Sequence, residues 1–329
     1  MNSEPGIPNG WLCSAGRRKR SRDAAGGIIR TLRAGGERRT GVGREAMEPG
    51  GGDCTGRIRR RKPGRRERMN VLEYGKEHKK TLLFLPCTAE PEWALSDAVT
   101  LLAQHYHVMQ VVYDGHGETG EDFISVETTV DAVTDWLQRR GIVRLDAAYG
   151  CSLGGACLTR LLALGKIPVG RAILDGGITP YQLPYVVRKL HLVLDVLSFK
   201  MVANSRRLLE AAFPPERFTP PGRDAAKEYD AIASYLKTFS NRTIRNVFWS
   251  GNNYALPKTP ADNGTKITYW CGDDEKKDRR DNIRFIRHYF PQVRIHGIPK
   301  MAHAELVMIH PEEFCRYAEK FLIGQRERE

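Results

Sequence analysis

Residues 145–164 read LDAAYGCSLGGACLTRLLAL. The apolar run over 145–149 predicts a short buried strand, and 153–164 predicts a helix. Between them lies Gly150-Cys151-Ser152-Leu153-Gly154, a match to G-x-S-x-G. In a chain with 32 glycines the five-residue pattern alone means little. Its setting, at the end of a strand and the start of a helix, gives it meaning. Two residues without side chains let the turn be sharp while strand and helix pack closely. Ser152 is thereby lifted over a helix N-terminus, where free N–H groups and the helix dipole favour negative charge.

Outward from this stretch the same alternation continues. Strands are expected over 81–85, 107–113, 171–174, 266–270 and 293–298. Helices are expected over 93–106, 126–139, 281–290 and 312–322, the last opened by Pro311. Residues 114–120 read as a polar loop. The pattern predicts an α/β fold with a mostly parallel central sheet and helices on both faces. The alternation stops between residues 174 and 266. There, 185–199 is apolar on nearly all faces and 225–239 reads as a further helix, with Pro214, Pro215, Pro220 and Pro221 between them. A helix apolar on most sides must be covered or must itself cover something apolar. The expected organisation is therefore a core over 69–180 and 258–329 and an inserted helical lid over 181–257, with ordinary crossover helices as the alternative.

The 329 residues include 52 Lys and Arg against 39 Asp and Glu, a net charge of +13. That charge is unevenly placed. Residues 1–68 hold 18 basic and 7 acidic side chains, whereas 69–329 hold 34 and 32. The near-neutral remainder weighs against nucleic acid as its partner. Residues 1–68 are rich in Gly and Arg and poor in apolar residues, so a disordered basic leader is expected. It has no apolar core of the kind a secretory signal needs. The abrupt change at Met69 raises the alternative that translation starts there. No apolar run reaches the roughly 18 residues that span a bilayer. The cysteines, at 13, 54, 87, 151, 157, 271 and 315, form no Cys-x-x-Cys and no Cys/His group at zinc spacing. The expectation is a reduced, cytoplasmic compartment with neither structural metal nor cofactor.

A serine hydroxyl needs a base within hydrogen-bond reach. Of the nine histidines, His303 lies in a loop just beyond the last predicted strand, at the sheet edge where active sites gather. With the elbow, Asp114-Gly115-His116-Gly117 after the second strand and Met301-Ala302-His303 after the last, residues 69–322 resemble the α/β-hydrolase fold superfamily, lid included. The resemblance implies a nucleophile, an acid and a histidine in that chain order: Ser152, an acid within Asp273-Asp274-Glu275, and His303. The family's spacing after Gly272 selects Glu275. Asp274 and Asp273 are the alternatives and Asp175 a further one. The oxyanion hole is then expected at the backbone N–H of Leu153 and of Thr88, with Cys87 as the other candidate donor. The DGHG loop is read as a structural turn rather than a metal site at His116. A catalytic Cys151 is the rival to Ser152.

The implied function is a serine hydrolase that cleaves a small or medium ester, or a related acyl compound, through an acyl-enzyme. An acyltransferase, an amidase or aminopeptidase, or a C–C hydrolase on the same triad is the alternative. A receptor that keeps the fold without catalysis is the alternative of another class. The expected partner is a small-molecule acyl substrate.

Overall fold

The computed structural model describes residues 69–324 apart from 118, 181 and 182. The leader over 1–68, with its expected disorder and the question of a start at Met69, lies outside the described residues. The described residues fall in one compact unit.

Seven short strands form one sheet: β1 (Asn70–Tyr74), β2 (Thr81–Leu85), β3 (His107–Val112), β4 (Leu145–Cys151), β5 (Val169–Asp175), β6 (Lys266–Gly272) and β7 (Arg294–Ile298). Their spatial order is β1-β3-β2-β4-β5-β6-β7. All pair in parallel except β1, which runs antiparallel to β3 along the sheet edge. The inner strands are buried on both faces, which is why they read as continuous apolar runs such as Leu82-Leu83-Phe84-Leu85. Successive residues feed opposite cores: Leu83 and Leu85 enter one apolar cluster, Leu82 and Phe84 the other.

The first face carries α2 (Val126–Arg139), α3 (Leu153–Leu164) and α9 (Arg280–Tyr289); the second carries α1 (Ser96–Leu102) and α11 (Pro311–Glu319). Local chemistry sets the helix ends. The Ser125 hydroxyl accepts from the Thr128 N–H and starts α2, and Pro311 occupies the first turn of α11. A short helix, α10 (Glu305–Ile309), precedes α11. Helix α1 is shorter than expected because the chain over 92–95 takes the tighter 3-10 form.

Between β5 and β6 the described residues form five helices: α4 (Tyr185–Asn204), α5 (Arg206–Ala212), α6 (Pro215–Phe218), α7 (Ala225–Lys237) and α8 (Asn241–Gly251). They enclose their own apolar cluster, built around Phe199, Leu209, Tyr229, Leu236, Phe239 and Phe248, against which Ala89 of the chain after β2 also packs. Helix α8 packs against α4 and also against α2 and α3. Its Ser250 hydroxyl accepts from the Val126 N–H at the start of α2. Helix α4 buries Phe199 and Val202 but leaves Val186, Leu190, Val193 and Leu197 more than half exposed. No helix among the described residues is long and apolar enough to cross a membrane.

The strand order fixes where chemistry can occur. After β2 the chain turns to α1 on one face; after β4 it turns to α3 on the other. The carboxyl ends of β2 and β4 are neighbours, Leu85 standing opposite Gly150. They form the crevice of a topological switch point. A surface cavity of about 310 Å³ near His78, Lys80 and Tyr106 lies at the opposite end of these strands.

Candidate active site at the carboxyl edge of the sheet

Ser152 occupies the turn between β4 and α3 with φ 52° and ψ −109°. A non-glycine residue at positive φ is strained, and the surroundings must hold it there. Its N–H donates to the Asp175 carbonyl at 2.9 Å, and its carbonyl accepts from Ala156 and Ile178. A Cβ at Gly150 would lie 2.5 Å from the Gly154 carbonyl oxygen, and one at Gly154 would collide with the Leu85 carbonyl. Those two glycines therefore permit the close approach of α3 to β2 and β4. Ser152 stands at the cap position of α3 without capping it, so its hydroxyl is free for other partners, and it is buried. Leu153 contributes the first amide of α3, one of the N–H groups that a helix leaves without an internal acceptor.

His303 arrives on the loop after β7, and Glu275 on the turn after β6. His303 Nδ1 lies 2.8 Å from Glu275 Oε2. Nδ1 is thus the protonated nitrogen facing the carboxylate, and Nε2 is turned toward the crevice. Glu275 is almost wholly buried. Its Oε1 accepts from the Gly272 N–H at 3.3 Å, and its Oε2 accepts from Arg279 Nε at 2.7 Å. Burial alone would raise its pKa. The charges of His303 and Arg279, with their hydrogen bonds, overcome that and hold it at about 2. Gly176, at φ 52°, lies against the pair, and a side chain there would strike His303.

The other candidate acids do not reach the histidine. Asp274 pairs with Arg217 at 2.7 Å, and the Asp273 N–H donates to the Ile298 carbonyl. Asp175 accepts from the Tyr149 hydroxyl at 2.7 Å. Burial, then the charge of Glu275, push its carboxyl up to about 6.

Three features of the site were not legible in the sequence. Arg279 lies over the imidazole, with Nη2 at 3.1 Å from Nδ1 and 3.2 Å from Nε2 of His303. The Cys87 sulfur stands 3.9 Å from His303 Nε2, and the Cys151 sulfur lies within 4.8 Å of both. Among the described residues no hydrogen bond joins Ser152 Oγ to His303. Third, the Cys87 N–H donates to Glu90 Oε2 at 2.7 Å. That contact removes Cys87 as a free backbone donor and leaves the buried Thr88 next in the chain. Glu90 Oε1 is buried without a hydrogen-bond partner. Burial, then the neighbouring Cys87 charge, raise the Glu90 pKa well above the usual carboxylate range.

The hydrogen bond from Cys151 and the contact with His303 favour the Cys87 thiolate against burial and move its pKa well down. Burial disfavours the His303 imidazolium, but the Glu275 charge, opposed by Arg279 and joined by the Cys87 contact, lifts its pKa to about 10. Cys87, Cys151 and His303 offer ligand atoms that all lie within 4.8 Å of one another. The sequence showed no Cys/His group at zinc spacing because these three positions are brought together only by the fold. His116 is buried among Tyr113, Phe123 and Phe239.

Residues 82–317 match the model of the Alpha/beta hydrolase family. No curated protein sequence matches the chain. Among solved structures, the chain is similar to an alpha/beta hydrolase family protein from Desulfitobacterium hafniense, with a TM-score of 0.58 and 16% identity, covering 77% of this chain and 100% of that one. It is similar to a carboxylesterase from Nitrososphaera gargenis, with a TM-score of 0.58 and 15% identity over 78% of this chain and 94% of that one. A carboxylesterase from Bacillus subtilis gives a TM-score of 0.54 and 13% identity over 78% and 88%. At these identities the likeness is one of fold.

Proposed function

The chain belongs to the alpha/beta hydrolase family, and from that membership we propose that it is a serine hydrolase acting on a small or medium carboxylic ester or related acyl compound. The observation that carries the reading is the strained Ser152 at the β4–α3 turn, beside a His303–Glu275 pair delivered from the ends of β7 and β6. Ser152 Oγ attacks the acyl carbon while His303 Nε2 takes its proton. Glu275 keeps Nδ1 protonated and stabilises the imidazolium without accepting a proton. The N–H groups of Leu153 and Thr88 hold the oxyanion. His303 then protonates the leaving alcohol, and water releases the acid from the acyl-enzyme. In this scheme the Cys87 side chain gives up its contact with Nε2 when substrate enters. The helices between β5 and β6 serve as the lid, since their apolar cluster reaches Ala89 beside the crevice. The carboxylesterase likeness supports the ester class. Five buried free thiols among the described residues support a reducing, cytoplasmic setting.

The test is active-site labelling. A fluorophosphonate should attach to the peptide carrying Ser152. Ser152→Ala should abolish the adduct and lower turnover of p-nitrophenyl esters by on the order of 10³-fold or more. Unchanged labelling in the variant overturns the assignment. One contact favours a second reading: the Cys87 sulfur at 3.9 Å from His303 Nε2 makes Cys87 the nucleophile of a cysteine hydrolase. Trapping the acyl-enzyme and locating it as an ester on residue 152 or a thioester on residue 87 separates the two.

A further inference from the structure

The acyl-transfer scheme uses neither thiol in the crevice as its nucleophile, yet both are buried beside the base. We propose that Cys87, Cys151 and His303 form a binding site for one thiophilic divalent cation of the Zn²⁺ class, whose occupancy shuts the hydrolytic site.

Geometry carries the proposal. Tetrahedral zinc, at about 2.3 Å from sulfur and about 2.0–2.1 Å from nitrogen, places neighbouring ligand atoms roughly 3.5–3.8 Å apart. Here the Cys87 sulfur lies 3.9 Å from His303 Nε2, and all three ligand atoms fall within 4.8 Å of one another. Closing the widest of these separations by roughly 1 Å suffices. The donors are two thiols and an imidazole, a set that selects zinc-like ions over magnesium or calcium. Metal-bound histidines characteristically donate their other ring N–H to a carboxylate, which orients the ring and strengthens the ligand. The Glu275 contact to Nδ1 at 2.8 Å already supplies this. The fourth position is left to a solvent molecule in the crevice, as in zinc sites with three protein ligands.

The charges balance. Binding forms two metal–sulfur bonds and one metal–nitrogen bond and releases two protons to solvent, one from the Cys151 thiol and one shared by the Cys87–His303 pair. Two thiolates cancel the dication. Arg279, whose charge opposes a cation, is paired at 2.7 Å with Glu275, which supplies a compensating negative charge. A metal on Nε2 takes the lone pair that a general base requires. The inhibitory consequence rests on the hydrolase reading; the binding does not.

The experiment is a titration of the metal-free full chain with zinc chloride in competition with a chromophoric chelator, beside X-ray absorption of the zinc-loaded protein. One zinc per chain is expected, with a first shell containing two sulfurs and a nitrogen donor. Cys87→Ser and Cys151→Ser should each weaken binding by at least about tenfold. Absence of saturable binding at micromolar zinc, a shell without sulfur, or undiminished affinity in both variants overturns the site. The absorption measurement uses the unaltered chain and so stands even where a variant does not fold. Zinc should abolish ester hydrolysis and a chelator restore it; full turnover by the zinc-loaded protein overturns the shut-off. Zinc binding without fluorophosphonate labelling counts against the serine assignment alone and leaves the site intact.

Discussion

His303 is pulled in opposite directions by its neighbours. Burial and Arg279 disfavour its charged form, while Glu275 and Cys87 favour it, and the balance lies near a pKa of about 10. A solvent-exposed histidine titrates near about 6.5, the value that a loop position alone suggests. A serine mechanism needs neutral His303, so turnover should climb with pH toward about 10 rather than level off at neutrality. Cys87→Ser removes a contact that favours the imidazolium and should move this limb to lower pH. Under the serine reading, activity at pH 7 then rises; if Cys87 is the nucleophile, it collapses. Glu275→Gln should reduce kcat by on the order of 10³–10⁴-fold through the wrong tautomer. Asp274→Asn, whose partner is Arg217, should leave kcat within a few-fold; comparable losses in both would remove Glu275 from the acid role. Ser152, Glu275 and His303 were legible because each ends or follows a readable strand. Arg279 was not: within Lys276-Lys277-Asp278-Arg279-Arg280 it reads as one more solvated charge, and only the turn that leads from β6 into α9 folds it back over the imidazole.

At the scale of elements, the short α6 has a role out of proportion to its length. Its Arg217 Nε lies 2.8 Å from both oxygens of the buried Glu305, and Nη2 reaches the Lys300 carbonyl and Asp274. Glu305 in turn accepts from the Ala302 N–H at 2.7 Å. One side chain from the helical insertion therefore clamps both ends of the loop that carries His303. Arg217→Met should leave a buried carboxylate without its main partner. The expected loss is about 1–3 kcal/mol in urea melts, below that of a fully buried pair because Arg217 is partly exposed. Turnover should fall through kcat more than KM, and Arg217→Lys should restore little because it cannot form the two-oxygen contact. A variant of wild-type stability and kcat would exclude the clamp. Helices α2 and α3 were readable to their ends, and the inner strands nearly so, because burial on both faces writes a continuous apolar run. Strand β1 was not singled out, since Asn70–Tyr74 is mostly half-exposed and its pairing with β3 is a long-range event. Helices α8 and α10 are short and amphipathic, and their apolar partners come from distant elements.

For the molecule as a whole, the seam between sheet and insertion has a pH-sensitive point in His116. The DGHG loop brings this ring against Phe239, centroid to centroid at 4.8 Å, with Tyr113 and Phe123 on its other sides. Nδ1 lies 3.2 Å from the Asp114 carbonyl, while Nε2 is buried without a partner. Burial, only partly offset by the Asp114 contact, lowers its pKa from 6.5 to about 4. Because the folded value is depressed, the unfolded chain binds a proton below about 6.5 that the folded chain refuses until about 4. Stability from this group is therefore complete above 6.5 and is lost as the pH falls through that window, by about 3 kcal/mol in all. Buried acids act in the opposite sense: burial raises the pKa values of Asp175 to about 6 and of Asp195 to about 7, and that of Glu90 well above the usual range, so folding gains from their protonation as the pH falls. The wild-type profile alone therefore mixes these contributions, and the variant must be compared with it at each pH. His116→Phe keeps the shape of the ring and removes the titration. Relative to wild type, its unfolding free energy should improve by about 3 kcal/mol between pH 7 and pH 4 in urea melts. A difference that stays constant across that range would mean that His116 accepts its proton in the folded protein as readily as in the unfolded chain, and that the seam is open to water.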